Sequence, residues 1–173
     1  CAVRPSLVAE IEAAGGQAAY AVCDVSDASQ VQAVADLAVA RFGRIDTWVS
    51  ASAVGVYDML ERVSPEEFRH VLDVNVLGYL HCLQAALPHL RREGRGALIF
   101  ITSIESTVAM PMQGAYTTSK HAAEGMIEAL RRELRHERVP ISVTNIKPAV
   151  VNTPFYTNAL SRMGFRPTAP PPA

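Results

Sequence analysis

The chain has 173 residues, 49% of them hydrophobic, and its 16 basic and 17 acidic side chains give a net charge of −1. This length and composition are typical of one globular domain, and the balanced charge argues against nucleic acid as a partner. No apolar stretch reaches the roughly 18 residues of a membrane span and no signal peptide is visible, so we expect a cytoplasmic protein. The five histidines and three cysteines form no HExxH motif and no cluster, which predicts neither a metal site nor a disulfide framework.

Patterns typical of helices and strands alternate along the sequence. Ser26 and Asp27 can cap the second predicted helix, and Gly43 can end it. Apolar strands separated by helices indicate a parallel sheet covered on both faces, so we predict a doubly wound α/β fold. In chain order, the predicted elements are a helix at 6–14, a strand at 18–25, a helix at 28–42, a strand at 47–53, a helix at 65–92, a strand at 97–102, a helix at 116–136 and a strand at 141–146.

The longest amphipathic segment has a well-defined start. Ser64 is suited to the N-cap, Pro65 to the first helical position, and Glu67 completes a capping box. Pro88 lies inside the same segment and should end or kink the helix near Leu87.

Tyr116 and Lys120 lie one turn apart on the same face if their segment is helical. A nearby ammonium favours the phenolate and lowers the pKa of a tyrosine, which suits a general acid or base. The pattern is weak alone, since a solvated pair on a helix surface has the same spacing. Ser103 strengthens it, because this residue follows an apolar run at the carboxyl end of a predicted strand, where α/β sheets bind ligands.

Further polar residues follow the other predicted strands or interrupt a helix. Asp24 closes the first strand, residues 50–53 close the second, and residues 148–153 follow the last. Asn75 lies within the long helix. Structural roles stay open for these residues: Asp24 could cap the next helix, Asn75 could only bend its own, and Ser103 could only terminate its strand.

Taken in this order, these residues resemble the motifs of the classical short-chain dehydrogenase/reductase family over about residues 6–165. The resemblance implies that the catalytic residues are Asn75, Ser103, Tyr116 and Lys120. It implies that the cofactor is bound by Asp24, Val25, Ser50, Ala51, Ser52, Tyr116, Lys120, Pro148, Ala149, Val151 and Thr153. Tyr116 would exchange a proton with the substrate oxygen, Ser103 would hold that oxygen, and Lys120 would lower the pKa of the tyrosine and hold the nicotinamide ribose. Asn75 would kink its helix and anchor a water leading to Lys120.

The activity that this resemblance implies is that of an NAD- or NADP-dependent oxidoreductase acting on an alcohol or ketone. It further implies a Rossmann-like sheet and a homodimer or homotetramer. The choice of NADP over NAD rests on general similarity alone. The alternative is a non-catalytic binding or scaffold protein with the same fold, and a truncated product without independent function is a third hypothesis.

The sequence departs from the family pattern in two ways. No glycine-rich Gly-x-x-x-Gly-x-Gly turn is present, so we expect residues 1–165 to form a partial domain that lacks the first two strands and the last strand. The predicted strand at 18–25 would then have no neighbour with which to pair. Ala53 and Ala149 replace glycines of the family motifs, which puts cofactor affinity in doubt more than chemistry. Residues 166–173 read as a proline-rich tail or linker.

Overall fold

The computed structural model describes residues 5–164 and has the predicted α/β architecture. Single turns of 3₁₀ helix lie at Leu60–Arg62 and Ile104–Ser106, and a π-helical turn lies at Asp73–Leu77. In chain order, the elements are α1 (Pro5–Ala13), α2 (Ala28–Phe42), β1 (Thr47–Ser50), β2 (Val56–Tyr57), α3 (Pro65–Leu72), α4 (Gly78–Glu93), β3 (Gly96–Ile101), α5 (Gly114–His136), β4 (Ile141–Ile146), α6 (Phe155–Asn158) and β5 (Leu160–Ser161). The predicted proline-rich tail lies outside the described residues.

The central sheet is parallel and has the strand order β1-β3-β4. Trp48 of β1 lies opposite Leu98 of β3, and Ile99 lies opposite Thr144 of β4. The short strands β2 and β5 form a separate parallel pair. This pair brings the end of the described chain back to the segment that follows β1.

Helices cover only one face of the central sheet in the described part of the chain. α4 packs on β1 and β3, α5 packs on β4, and α2 packs on α4. Leu98 and Phe100 are buried beneath these helices, whereas Val49 and Ile146 on the opposite face are 54% and 44% exposed. The second covering layer of the predicted doubly wound fold is therefore not among the elements of residues 5–164 that pack closely on this sheet.

The predicted strand at 18–25 is wrong, because these residues have no regular secondary structure. A strand needs a neighbour for its backbone N–H and C=O groups, and no strand of the described chain pairs with this segment. The carboxyl end of the segment nevertheless packs on α4, since the Val25 carbonyl oxygen lies 2.9 Å from His81 Nδ1. A Cβ atom on Gly78 would lie only 2.8 Å from Val25 Cγ2, so the glycine at this position lets Val25 lie close to the helix.

The predicted helix caps are confirmed. The Asp27 side chain accepts hydrogen bonds from the backbone of Ser29 and Gln30, and Gly43 ends α2 in the left-handed conformation. Ser64 and Glu67 form the reciprocal capping box of α3.

Of the two predicted effects of Pro88, an end or a kink of the helix near Leu87, the predicted end is wrong, because α4 continues to Glu93. Only one backbone hydrogen bond is lost so close to the end of the helix. The flanking Ala86 and Leu90 are fully buried in the core, and this packing holds the last turn. No helix within residues 5–164 is long and apolar enough to cross a membrane.

Candidate active site

The side chains with the most unusual environment meet at the carboxyl end of β3. Ser103 follows this strand, is buried, and caps the 3₁₀ turn at Ile104–Ser106 by accepting a hydrogen bond of 3.1 Å from Glu105 N. The strand sets this position, because β3 ends at Ile101 and the residues that follow it lie at the carboxyl edge of the parallel sheet.

Tyr116 and Lys120 lie on the first two turns of α5 and both point into the protein. Tyr116 is 7% exposed and Lys120 is 0% exposed. The ammonium Nζ lies 5.4 Å from the centroid of the Tyr116 ring, and the Ser103 side chain interacts with the Tyr116 phenol and lowers its pKa. The structure therefore brings together the three residues that the sequence predicts for proton transfer.

The electrostatics of this pair differ from the prediction. Burial raises the pKa of Tyr116 to about 12, and the Glu105 charge acts in the same direction, while the interaction with Ser103 opposes them. Burial also lowers the pKa of Lys120 to about 8, against an opposing contribution from Glu105. The direction for Tyr116 is opposite to the one predicted from the Lys120 ammonium, because burial is the largest influence on the pKa of the Tyr116 phenol.

The hydrogen-bond partner of the Lys120 ammonium is Tyr79, which the sequence analysis missed. Lys120 Nζ donates to Tyr79 Oη over 3.2 Å, and Tyr79 Oη in turn donates to the Ile101 carbonyl oxygen. The Tyr79 ring is 1% exposed and lies 5.5 Å from the Phe100 ring, centroid to centroid. Its position four residues after Asn75 is the sequence signal that places both side chains on one helix face.

Asn75 lies in the π-helical turn between α3 and α4 and is fully buried. Its Oδ1 accepts from Val54 N, and its Nδ2 donates to Val54 O and to Ser119 Oγ, each over 2.9 Å. The predicted irregularity of the helix is present at Asn75. Both Nδ2 hydrogens are engaged with protein groups, so the amide fastens the loop after β1 to α5.

Glu105 is a second buried ionisable group that the sequence analysis missed. Its Oε2 accepts a hydrogen bond of 2.6 Å from Thr117 Oγ1, and the side chain is 7% exposed. Desolvation raises the pKa of this carboxyl, opposed by Thr117 and by the charges of His121 and Lys120. Glu105 thus adds a titratable carboxyl to the surroundings of the tyrosine and the lysine.

Two of the predicted cofactor-binding segments line one cleft. The cleft has a volume of about 240 Å³ and lies between the segment at 21–25 and the outer edge of β1, including Ser50, Ala51 and Ser52. Ser50 Oγ is buried without a hydrogen bond of ordinary geometry, and the Cys82 thiol, a weak hydrogen-bonding group, faces it. Asp24 is exposed, and in the part of the chain that the structure describes its carboxylate accepts hydrogen bonds only from Ser26.

The third predicted segment, 148–153, is not part of the buried cluster. Its contact with the site is backbone, since Ile104 N donates to the Pro148 carbonyl oxygen over 2.9 Å. Ala149, Val151 and Thr153 are exposed.

The chain beyond Thr153 folds back over Tyr116. The Phe155 ring lies 5.1 Å from the Tyr116 ring, centroid to centroid, and a Cβ atom on Gly55 would lie 3.0 Å from Phe155 Cζ. Arg162 holds the far end of this segment, pairing with the buried carboxylate of Asp58 at 3.3 Å and with Glu67. Tyr116 is therefore covered by an apolar ring on one side.

Comparison with known proteins gives a consistent result. The profile of the family described as short chain dehydrogenase matches residues 3–163. The chain is 33% identical over 162 residues to the uncharacterized oxidoreductase YxnA of Bacillus subtilis, a match that covers 93% of this chain and 46% of that protein. It is 35% identical over 157 residues to the short-chain reductase protein NovJ of Streptomyces niveus, covering 91% of this chain and 59% of that protein.

Solved structures are similar over the same range. An alcohol dehydrogenase of Thermococcus sibiricus, complexed with 5-hydroxy-NADP, has a TM-score of 0.81 and 29% identity over 90% of this chain and 64% of its own. A short chain dehydrogenase/reductase of Burkholderia phymatum, in complex with NAD, has a TM-score of 0.86 and 28% identity over 94% of this chain and 57% of its own. The chain thus spans about half of the length of YxnA and less than two thirds of the other proteins, so the fold it shares with them is incomplete.

Proposed function

Because the chain belongs to the short chain dehydrogenase family, we propose that it carries the proton-transfer centre of an oxidoreductase acting on an alcohol or ketone. The observation that carries the proposal is the buried cluster in which Ser103, Tyr116 and Lys120 meet, with the Lys120 ammonium beside the Tyr116 ring. Two buried ionisable side chains and a hydroxyl at the carboxyl end of a parallel strand are the arrangement that acid–base catalysis needs.

The cofactor of the proposed reaction is NAD or NADP, and relatives of known structure were solved with one or the other. The described residues fit its nicotinamide–ribose end, because Lys120 and Tyr116 offer donors to ribose hydroxyls and Ser50 Oγ faces a cleft without an ordinary hydrogen bond. Asp24, Val25, Ala51 and Ser52 would border the adenine side, with residues 148–153 at the nicotinamide. When bound, the reduced nicotinamide supplies the hydride that the carbonyl carbon of the substrate accepts.

Tyr116 supplies the proton in the reduction. With a pKa of about 12, its phenol is protonated at neutral pH, and an alkoxide is a stronger base than a phenolate. Transfer of the phenolic proton to the substrate oxygen is therefore downhill, and the products are the alcohol and the Tyr116 phenolate. Ser103 Oγ donates a hydrogen bond to the same oxygen, and the Lys120 ammonium stabilises the phenolate.

The reverse reaction needs Tyr116 as phenolate before the alcohol is oxidised. At pH 7 a phenol with a pKa of about 12 is ionised in only about one molecule in 10⁵. The geometry therefore favours carbonyl reduction at neutral pH, with alcohol oxidation rising steadily with pH.

The broader setting is part of the same proposal. Residues 1–165 act as one partial Rossmann-like domain, and residues 166–173 are a tail or a linker. The protein works in the cytoplasm as a homodimer or homotetramer.

The test is absorbance at the nicotinamide band, with the full-length protein, both cofactors, and a panel of ketones and alcohols. Tyr116→Phe should lower turnover by at least about 10², because a positioned acid contributes about that much or more. Tyr20→Phe is the matched control, since Tyr20 is a half-exposed tyrosine outside the site. Absence of turnover together with absence of cofactor binding in calorimetry would refute the proposal.

A second candidate is a non-catalytic binding protein with the same fold. Ala53 and Ala149, which replace glycines of the family motifs, favour it. Calorimetry separates the two candidates, because the scaffold hypothesis predicts no cofactor binding. Turnover that Tyr116→Phe abolishes would rule it out.

A further inference from the structure

We propose that Tyr79 is the positioning residue of Lys120, holding the buried ammonium by its hydroxyl oxygen at the depth from which it reaches Tyr116. This inference rests on the proposed function. Tyr79 is not one of the four predicted catalytic residues, and the inference gives it the role of fixing the position of the Lys120 ammonium.

The direction of the hydrogen bonds carries the argument. Burial raises the pKa of Tyr79, so its hydroxyl keeps its single hydrogen. That hydrogen is donated to the Ile101 carbonyl oxygen, which turns the oxygen lone pairs toward Lys120 Nζ, 3.2 Å away. The phenol is thereby obliged to act as an acceptor for the ammonium.

The phenol is held rigidly by the sheet. Tyr79 is 1% exposed, its ring packs on Phe100, and its partner Ile101 is the last residue of β3. Ser103 follows two residues later in the same chain segment. One strand end therefore positions Ser103 directly and Lys120 through Tyr79.

Few other groups near Lys120 could accept a hydrogen bond from its ammonium in place of Tyr79 Oη. The groups that face the ammonium are the Tyr79 and Tyr116 rings, 5.0 and 5.4 Å from Nζ to each centroid, and the charge of Glu105. Both Asn75 Nδ2 hydrogens are engaged with Val54 and Ser119, and an amide N–H is in any case a donor. Removing the Tyr79 oxygen leaves a fully buried ammonium with one acceptor fewer, which favours its neutral form.

The direct test compares wild type with Tyr79→Phe in the full-length protein labelled with ¹⁵N-lysine. The present chain contains two lysines, Lys120 and Lys147, and Lys147 is an internal reference because it is half-exposed and paired with Glu124. Lys120→Met assigns the resonance. We expect the titration midpoint of Lys120 to fall by at least half a pH unit in Tyr79→Phe, with Lys147 unmoved.

The kinetic arm uses the pH profile of kcat/KM for carbonyl reduction. Its alkaline limb should move to lower pH by the same amount in Tyr79→Phe. Phe100→Leu is the control for packing: it loosens the support of the Tyr79 ring and lowers Tm, but it keeps the hydroxyl and should leave the Lys120 titration in place. A midpoint that is the same in Tyr79→Phe and wild type would overturn the inference, as would an equal shift in Phe100→Leu.

A third measurement needs no variant and covers the case in which Tyr79→Phe does not fold. In the wild-type protein, the Lys120 ammonium protons should show nuclear Overhauser contacts to the Tyr79 ring protons, and their absence would refute the inference. Both magnetic resonance measurements proceed without turnover. An inactive protein with the expected Lys120 titration would contradict the proposed function while supporting the role of Tyr79.

Discussion

Two regions of the molecule share the proposed reaction but differ in how they are built. The buried cluster consists of Asn75, Tyr79, Ser103, Tyr116 and Lys120, none of them more than 7% exposed. The outer rim consists of Asp24, Ala51, Ala149, Val151 and Thr153, all of them exposed. The chemistry of proton transfer belongs to the first region and most predicted cofactor contacts belong to the second.

The difference shows what each region needs from its surroundings. The buried cluster is held by elements that lie against one another, since the π-turn packs on α5, Tyr79 of α4 is hydrogen-bonded to Lys120 of α5, and β3 lies beneath α4. The rim lies on loops beside a three-stranded sheet that is covered on one face. The residues proposed for proton transfer are thus held together within residues 5–164, whereas most of the residues proposed for cofactor binding are exposed there.

The largest expected effect comes from removing the cation of the buried cluster. Lys120→Met should lower kcat by at least about 10², because the phenolate formed in the reaction loses its neighbouring charge. Thr153→Ala in the rim should change only KM for the cofactor, by less than about tenfold. Steady-state kinetics of the full-length protein measure both effects. Equal losses of kcat in the two variants would show that the buried cluster and the outer rim do not have separate roles in the reaction.

The free energy of unfolding should also depend more on the buried cluster than on the outer rim. Asn75→Ala strands the N–H and C=O of Val54 and should lower the free energy of unfolding by about 3 kcal/mol. Asp24→Ala removes only exposed hydrogen bonds with Ser26 and should leave the midpoint of urea unfolding unchanged. A similar midpoint for both variants would contradict the contrast.

The buried lysine makes stability depend on pH. Its pKa is about 8 in the folded protein and 10.5 as a free side chain, so the unfolded chain binds more protons between these values. The desolvation penalty is fully present below pH 8 and is relieved as the pH rises, by about 2 to 3 kcal/mol between pH 6 and 10. The difference in unfolding free energy between wild type and Lys120→Met isolates this contribution, and a flat difference would exclude it.

The smallest expected effect concerns the contact between α4 and the segment at 21–25. Gly78→Ala places a methyl group 2.8 Å from Val25 Cγ2 and should cost about 1 to 2 kcal/mol by pushing the segment at 21–25 away from α4. Val25→Ala removes the obstructing branch, so the double variant should be more stable than the sum of the single effects. Strict additivity in thermal unfolding would mean that the segment is not docked on Gly78.

The features that local interactions decide could be predicted from the sequence. The caps of α2 and α3 involve side chains and backbone groups within three residues, and both form as predicted. The strand at 18–25 could not be predicted correctly, because strand formation depends on a neighbour and its apolar pattern is the same with or without one. Pro88 is tolerated for a tertiary reason, the packing of Leu90.

The catalytic candidates could be found in the sequence, but their electrostatics could not. Tyr116, Lys120 and Ser103 meet as their motif predicts, yet the pKa of Tyr116 is raised by burial, which the motif does not encode. Tyr79 was missed because an aromatic residue on an apolar helix face is typical of core. Its hydrogen-bond partners Ile101 and Lys120 lie 22 and 41 residues along the chain, so only the tertiary packing of α4 brings them together.

Glu67 belongs to two structures at once. Its carboxylate closes the capping box of α3 by accepting from Ser64 N, and it also pairs with Arg162 at the end of the segment that covers Tyr116. These two partners hold the pKa of Glu67 below its usual range, so the linkage persists at neutral pH and is lost as acid protonates the carboxylate. The N-terminal cap of α3 and the attachment of the segment that covers Tyr116 thus depend on the same carboxylate, so acidification would weaken both together.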